Sequence, residues 1–230
     1  MFSRKVTNSI VASAVAIAIA GGTYGIVSSN SGTSASSGSS VASGAGPAAG
    51  SNARSGPAAG GASGTVGSVS ASGFTISTSA GQKVTVDAAS STIYQKGTSS
   101  ASASAVAAGE PVLVLGTTSG TTIKATQVIV QPAGSESATS AAKVVPFQRG
   151  VPTPSKQVGQ IPANWTEGSG TIIGGTAATK ATEAALAAYP GGVVDRVVKL
   201  SDGEYNVHYI GVNWPHHVFV NQDFKVVGAE

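Results

Sequence analysis

From Ser28 to Ser63 the chain is almost entirely Gly, Ser and Ala, and the pentapeptide GPAAG occurs twice, at Gly46 to Gly50 and at Gly56 to Gly60. Such a stretch carries too little bulky apolar surface to offset its own ordering entropy, so residues 28–63 read as a disordered tether. As a flexible coil the tether would span roughly 33 Å on average, enough to lift a domain off a membrane surface. What folds must therefore fold elsewhere in the 230 residues. With only 5% aromatic and 10% charged residues, any core has to be small and local.

The N-terminus sets the compartment. Arg4 and Lys5 precede the polar Thr7-Asn8-Ser9 and an apolar run from Ile10 to Ala20, in which Ala18-Ile19-Ala20 has the small-x-small form of a cleavage signal. Residues 1–27 read as an export segment, either cleaved near Ala20 or kept through Val27 as a membrane anchor with its charged end inside. The chain has no cysteine, which rules out disulfides and thiolate zinc sites and fits an exported bacterial protein. The net charge of +3 is matched by Arg4, Lys5 and Arg54 alone, so it marks no nucleic-acid footprint.

Residues 64–132 change character. GTVGSVSASGFTIST and KVTVDAASSTIY alternate apolar with small polar residues around glycine turns, the pattern of half-buried antiparallel strands. A short Ala-rich helical turn, a Gly-Glu-Pro bend, a strand over Val112 to Leu115 and a last strand through Ile123, Ala125, Val128 and Val130 complete the segment. Five or six short strands favour a small OB-like β-barrel, since closing the sheet removes its exposed edges. The segments GTVGSV, VLVLGTTSG and ATQVIV resemble an uncharacterised family of exported bacterial β-domains found behind a membrane anchor and a low-complexity tether. The resemblance implies fold and compartment only. Oligonucleotide binding would require a basic groove with stacking aromatics, and this stretch offers only Phe74 and Tyr94.

Residues 133–160 read as a second linker, basic and stiffened by Pro146, Pro152 and Pro154. Its VVPFQRGVP segment is either a loose spacer or, through Val144, Val145 and Phe147, a strand added to a neighbour. From Ile161 the chain turns acidic and aromatic, and residues 161–230 read as a separate α+β domain. GTAATKATEAALAAYPGG predicts a helix capped by Thr176 and stopped at Pro190. Strands are expected over Val193 to Leu200, Tyr205 to Ile210, His217 to Val220 and Phe224 to Val227. This order, with AAYPG, VVDRVVKLSDGEYNVHYIG and HHVFVNQDFKVVG, resembles the PepSY-like domain of exported bacterial proteins over residues 176–230. The resemblance implies a partner-binding or peptidase-regulating role, and the chain departs from it at Gly211-Val212-Asn213-Trp214-Pro215. The fold class is thus mainly β plus α+β, a barrel followed by a helix on an antiparallel sheet.

The candidate site is NWPHHVFVN, Asn213 to Asn221. Alternation on the strand before it puts Tyr205, Val207 and Tyr209 on one face and Asn206, His208 and Ile210 on the other. With the helix on the tyrosine face, His208 looks outward, and His216 or His217 lies beside it across the ladder. Partner binding through Tyr209, Trp214, Pro215, His216 and His217 is one expectation, because a rigid aromatic beside a proline makes a good interface anchor. A metal site drawn from His208, His216 and His217 is the alternative, in which zinc on two imidazoles needs a third protein ligand such as Asp223 or Glu204; a titrating histidine pair is its pH-sensing form. Ordinary half-exposed strand histidines are the bland reading. The sequence has no nucleophile elbow, no HExxH and no paired acids at a defined spacing, and GSGTIIGG follows no strand as a phosphate loop would. The expected protein is a monomeric, non-catalytic, cofactor-free component of the cell envelope. It would bind a protein or peptide and touch the membrane through its N-terminal segment.

Overall fold

A computed structural model of the chain describes residues 56–134 and 138–230. The export segment and the tether up to residue 55 lie outside the described residues. Among the described residues no helix is long and apolar enough to cross a membrane.

A closed five-stranded barrel forms from β1 (Ala58–Ser70), β2 (Gly73–Ser77), β3 (Lys83–Lys96), β5 (Pro111–Ser119) and β6 (Thr122–Val130). The short β4 (Ser99–Ala101) pairs with β3, and the Ala-rich turn is a 3-10 turn over Ala103–Ala105. All barrel pairs are antiparallel except β3 with β6. Val66, Phe74, Ile76, Val84, Val86, Ile123 and Val128 fill the interior, as period-two alternation requires.

Strand β1 begins inside the stretch read as tether. Ala58 to Ser63 form its first half, and Ala62 and Ser63 are buried. These residues pack without bulk because backbones meet there: a Cβ on Gly60 would lie 2.0 Å from the Val194 carbonyl oxygen, and one on Gly61 2.3 Å from that of Val114. Small residues permit the close approach, and the backbone pairs on both sides. On one side β1 runs along β5; on the other, Gly61 and Ala62 face Val194 and Val193 of β10 (Val193–Lys199). The barrel and the C-terminal sheet therefore share β1, where the sequence suggested two separate beads.

Beyond β10 the sheet continues through β11 (Tyr205–Ile210), β13 (His217–Val220), β14 (Val226–Ala229) and β8 (Val158–Gly159), while β9 (Thr171–Ile173) pairs with the end of β10 at Val197 to Lys199. Helix α2 (Gly175–Ala188) covers one face, packing Ala178, Ala181, Ala185 and Leu186 on Val197, Val207 and Tyr209. Thr176 is inside its first turn; the N-cap is Gly174, with extended backbone and no side-chain bond. Phe224 sits in the turn before β14 rather than in the strand. Strand β5 is buried on both faces, Val112 and Val114 in the barrel and Leu113 and Leu115 under the helix.

Within the stretch read as a second linker, residues 138–160 form a strap on the C-terminal sheet. After α1 (Ala138–Ala141), β7 (Val145–Pro146) pairs with β12 (Val212–Trp214), and β8 closes on β14. Between them Asn213 Oδ1 accepts from the Gln148 N–H, Asn213 Nδ2 donates to the Val151 carbonyl, and Trp214 Nε1 donates to the Lys156 carbonyl at 2.8 Å. Of the two forms open to this segment, the added strand is the one observed.

Candidate functional site: a polar histidine cluster

On the sheet face away from α2, Asn206 and His208 of β11 stand beside His217 of β13, with His208 and His217 directly paired in register. Alternation alone placed them there. A bulge between Val194 and Arg196 interrupts the β10–β11 ladder, and it turns Asp195 toward His208. Asp195 Oδ1 lies 2.5 Å from His208 Nδ1, and Oδ2 lies 3.1 Å from Arg196 Nη1. The guanidinium of the buried Arg196 extends toward Glu167, 3.9 Å away. Glu167 Oε2 in turn accepts from His217 Nε2 at 3.0 Å, while Asn206 meets His217 Nδ1 at 3.1 Å. Trp165 closes the cluster, its ring 4.9 Å from His217 and 5.2 Å from Phe219.

The bonds fix the chemistry. Burial first, then the nearby His208 and Arg196 charges, push His217 down to about 3. Glu167, more than half exposed and shared with Arg196, does not offset them. His217 is thus a neutral imidazole that donates from Nε2 and accepts at Nδ1. Burial and His208 also lower His216, whose Nε2 lies 3.3 Å from Thr153 Oγ1.

The metal expectation is corrected. Among the described residues no three His, Asp or Glu side chains are grouped so as to hold an ion. His208 Nδ1 is committed to Asp195, both nitrogens of His217 are engaged, and the His216 ring lies 6.5 Å from that of His208. Glu204 and Asp223 sit in the turns at the other end of the β11–β13 ladder.

The anchor expectation is corrected for Tyr209, Trp214 and Pro215, while His216 and His217 are half-buried. Tyr209 and Trp214 are 0% and 1% exposed and Pro215, joined to Trp214 by a cis peptide, is buried. Tyr209 lies under α2, and Trp214 packs edge-on against Tyr189 at 5.6 Å beneath the strap. The residues missed at the sequence level are Asp195, Arg196, Glu167 and Trp165. The Asp-Arg pair inside the apolar VVDRVVK was the available signal, since charges in a buried strand need partners.

The cluster sets an acid sensitivity. Between about pH 6.5 and 3 the unfolded chain protonates His217 and the folded chain does not, so stability falls as pH drops through that window. The expected loss is on the order of a few kcal/mol by the time the pH reaches the folded value. Urea midpoints measured from pH 7 to pH 4 should fall more steeply for the native chain than for His217→Gln. Parallel profiles would remove His217 as the cause.

A second feature is the edge of β9, which among the described strands pairs only with β10. A cleft of about 540 Å³ is lined by both members of this pair, Thr171 and Ile173 of β9 and Lys199 of β10, together with Asn164, Leu200 and Ser201. Compared with known protein families, curated proteins and solved structures, the chain shows no match to any of them.

Proposed function

We propose that the chain is a non-catalytic, exported cell-envelope protein that binds an extended peptide or protein segment. The observation that carries this reading is the three-residue edge strand β9 beside the 540 Å³ cleft. An unpaired strand edge recruits an extended segment by main-chain hydrogen bonds, and the neighbouring cleft admits its side chains. The barrel's order β1-β2-β3-β6-β5, closed by β1 with β5 and containing one parallel contact, supports the OB-like reading. Helix α2 lies on the β10-β11-β13-β14 sheet, the arrangement the PepSY-like reading expects, and a role in restraining an extracytoplasmic peptidase is proposed on that resemblance alone.

The test is a photo-crosslinker placed at Thr171 in the full chain, with Ser100 on β4 as the control edge. An extended segment should be captured at Thr171 and displaced by its own synthetic peptide. Equal capture at both edges would sink the reading.

A second reading, a pH-responsive envelope sensor, rests on the Asp195–His208 pair beside the acid-shifted His216 and His217. It predicts that capture at Thr171 changes as the pH falls below the ordinary histidine range and that His216→Gln flattens the change, while His217, neutral in the folded chain down to about pH 3, takes no part in it.

A further inference from the structure

The strap carries an exposed turn of unusual composition. Gln148 to Val151 form a β-turn closed by the Val151 N–H on the Gln148 carbonyl, with Gly150 at φ 79°. Both ends of the turn are held by one side chain, the buried amide of Asn213. Arg149 is exposed at its tip, and the residues flanking it at the base, Phe147 and Val151, are 56% and 49% exposed. Isolated exposed apolar residues are ordinary on a surface, but a rigidly clamped pair flanking an arginine is not accounted for by packing.

The strap's own charges have one sign, and the acid that meets it, Glu230, accepts from Gln157 Nε2 at 3.0 Å. Lys143, Arg149 and Lys156 are the charged residues of the strap from 143 to 160, which contains no acid. None of the three forms an ion pair among the described residues. Lys156 and Lys143 sit beside the same buried aromatic pair, Lys156 Nζ 4.5 Å from the Trp214 ring and Lys143 Nζ 6.0 Å from the Tyr189 ring. Because β7 pairs with β12, Asn213 holds the turn and the two lysines lie over the contacting Tyr189 and Trp214 rings, the cations and the exposed apolar pair belong to one stretch of strap held on β12.

We propose that this turn is a contact for an anionic lipid surface, with Phe147 and Val151 entering the headgroup region and Lys143, Arg149 and Lys156 facing the lipid charge. An exposed apolar pair gives little affinity alone, and cations near an anionic surface each add about fivefold in partitioning. A turn already fixed by Asn213 loses little freedom on contact. This surface is distinct from the β9 cleft and does not depend on what that cleft binds.

The chain has no cysteine, so Val151→Cys gives the full chain a single site for an environment-sensitive fluorophore. The probe should shift to the blue, with raised intensity, on vesicles of phosphatidylcholine with 30% phosphatidylglycerol, and not on phosphatidylcholine alone. The response should weaken at high salt. Adding Phe147→Ser and Arg149→Glu, both at exposed positions, should cut the apparent affinity at least tenfold with an unchanged circular dichroism spectrum. Asn213→Ala, which frees the turn, should broaden the probe signal before vesicles are added. The proposal is overturned by an equal shift on neutral vesicles, by no shift on anionic ones, or by a double variant that responds like its parent. A shift with soluble polyglutamate that matches the anionic vesicles would assign the turn to acidic proteins instead.

Discussion

Gly60→Ala is expected to lower the unfolding free energy by at least about 3 kcal/mol, and Gly60→Val to leave no stable fold, whereas Gly56→Ala changes little. The added Cβ at Gly60 would lie 2.0 Å from the Val194 oxygen, 2.8 Å from its carbonyl carbon and 2.9 Å from Thr118 Oγ1. Two of those three atoms are backbone. Relief would need β1 to move, yet β1 is laddered to β5 along eight residue pairs and to β10 on its other side. A Cβ on Gly56 meets nothing within 4 Å, which makes it the matched control for the lower chain entropy that alanine brings to the unfolded state. Urea unfolding followed by circular dichroism gives the comparison. Because β1 belongs to both sheets, the native chain should show one transition rather than two. Equal midpoints for Gly60→Ala and Gly56→Ala would mean that the joint at β1 does not carry the fold.

The same position shows what composition conceals. GPAAG at Gly56 to Gly60 has the composition of a tether, and its residues bury almost no side chain. Their contribution is backbone pairing at close range, which hydropathy does not register. The fusion of the two sheets did leave a trace in VLVL at residues 112–115: a strand buried on one face alternates, and a continuous apolar run signals two covered faces. Where one face met solvent or a polar layer, alternation was enough, as on β11, where Tyr205, Val207 and Tyr209 face the helix and His208 the polar cluster. The bulge that brings Asp195 to His208 has no periodic signature, because one extra residue shifts the phase without changing residue type. The partners of the cluster were hidden for that reason, and Glu167 because it arrives from a loop.

Trp214→Ala is expected to cost about 3–5 kcal/mol, the range for emptying a buried large aromatic, and to release the strap as well. The indole is 1% exposed, packs edge-on against Tyr189 and donates to the Lys156 carbonyl, while Lys156 Nζ lies 4.5 Å from the ring. The substitution therefore removes a core side chain and a strap anchor together. Trp214→Phe separates the two: it keeps most of the apolar volume but leaves the Lys156 carbonyl without its donor, so the loss should be smaller, about 1–2 kcal/mol. Amide exchange over the strap should rise in both variants, since both lose that anchor, while exchange under α2 should rise only in Trp214→Ala. Trp165 remains in each to report unfolding by fluorescence. If Trp214→Ala proved as stable as the native chain, with the strap still protected, the residue would not be the joint between strap and core. A binding role for Trp214 measured through its alanine variant is not interpretable without this control, because lost stability and lost contact would read alike.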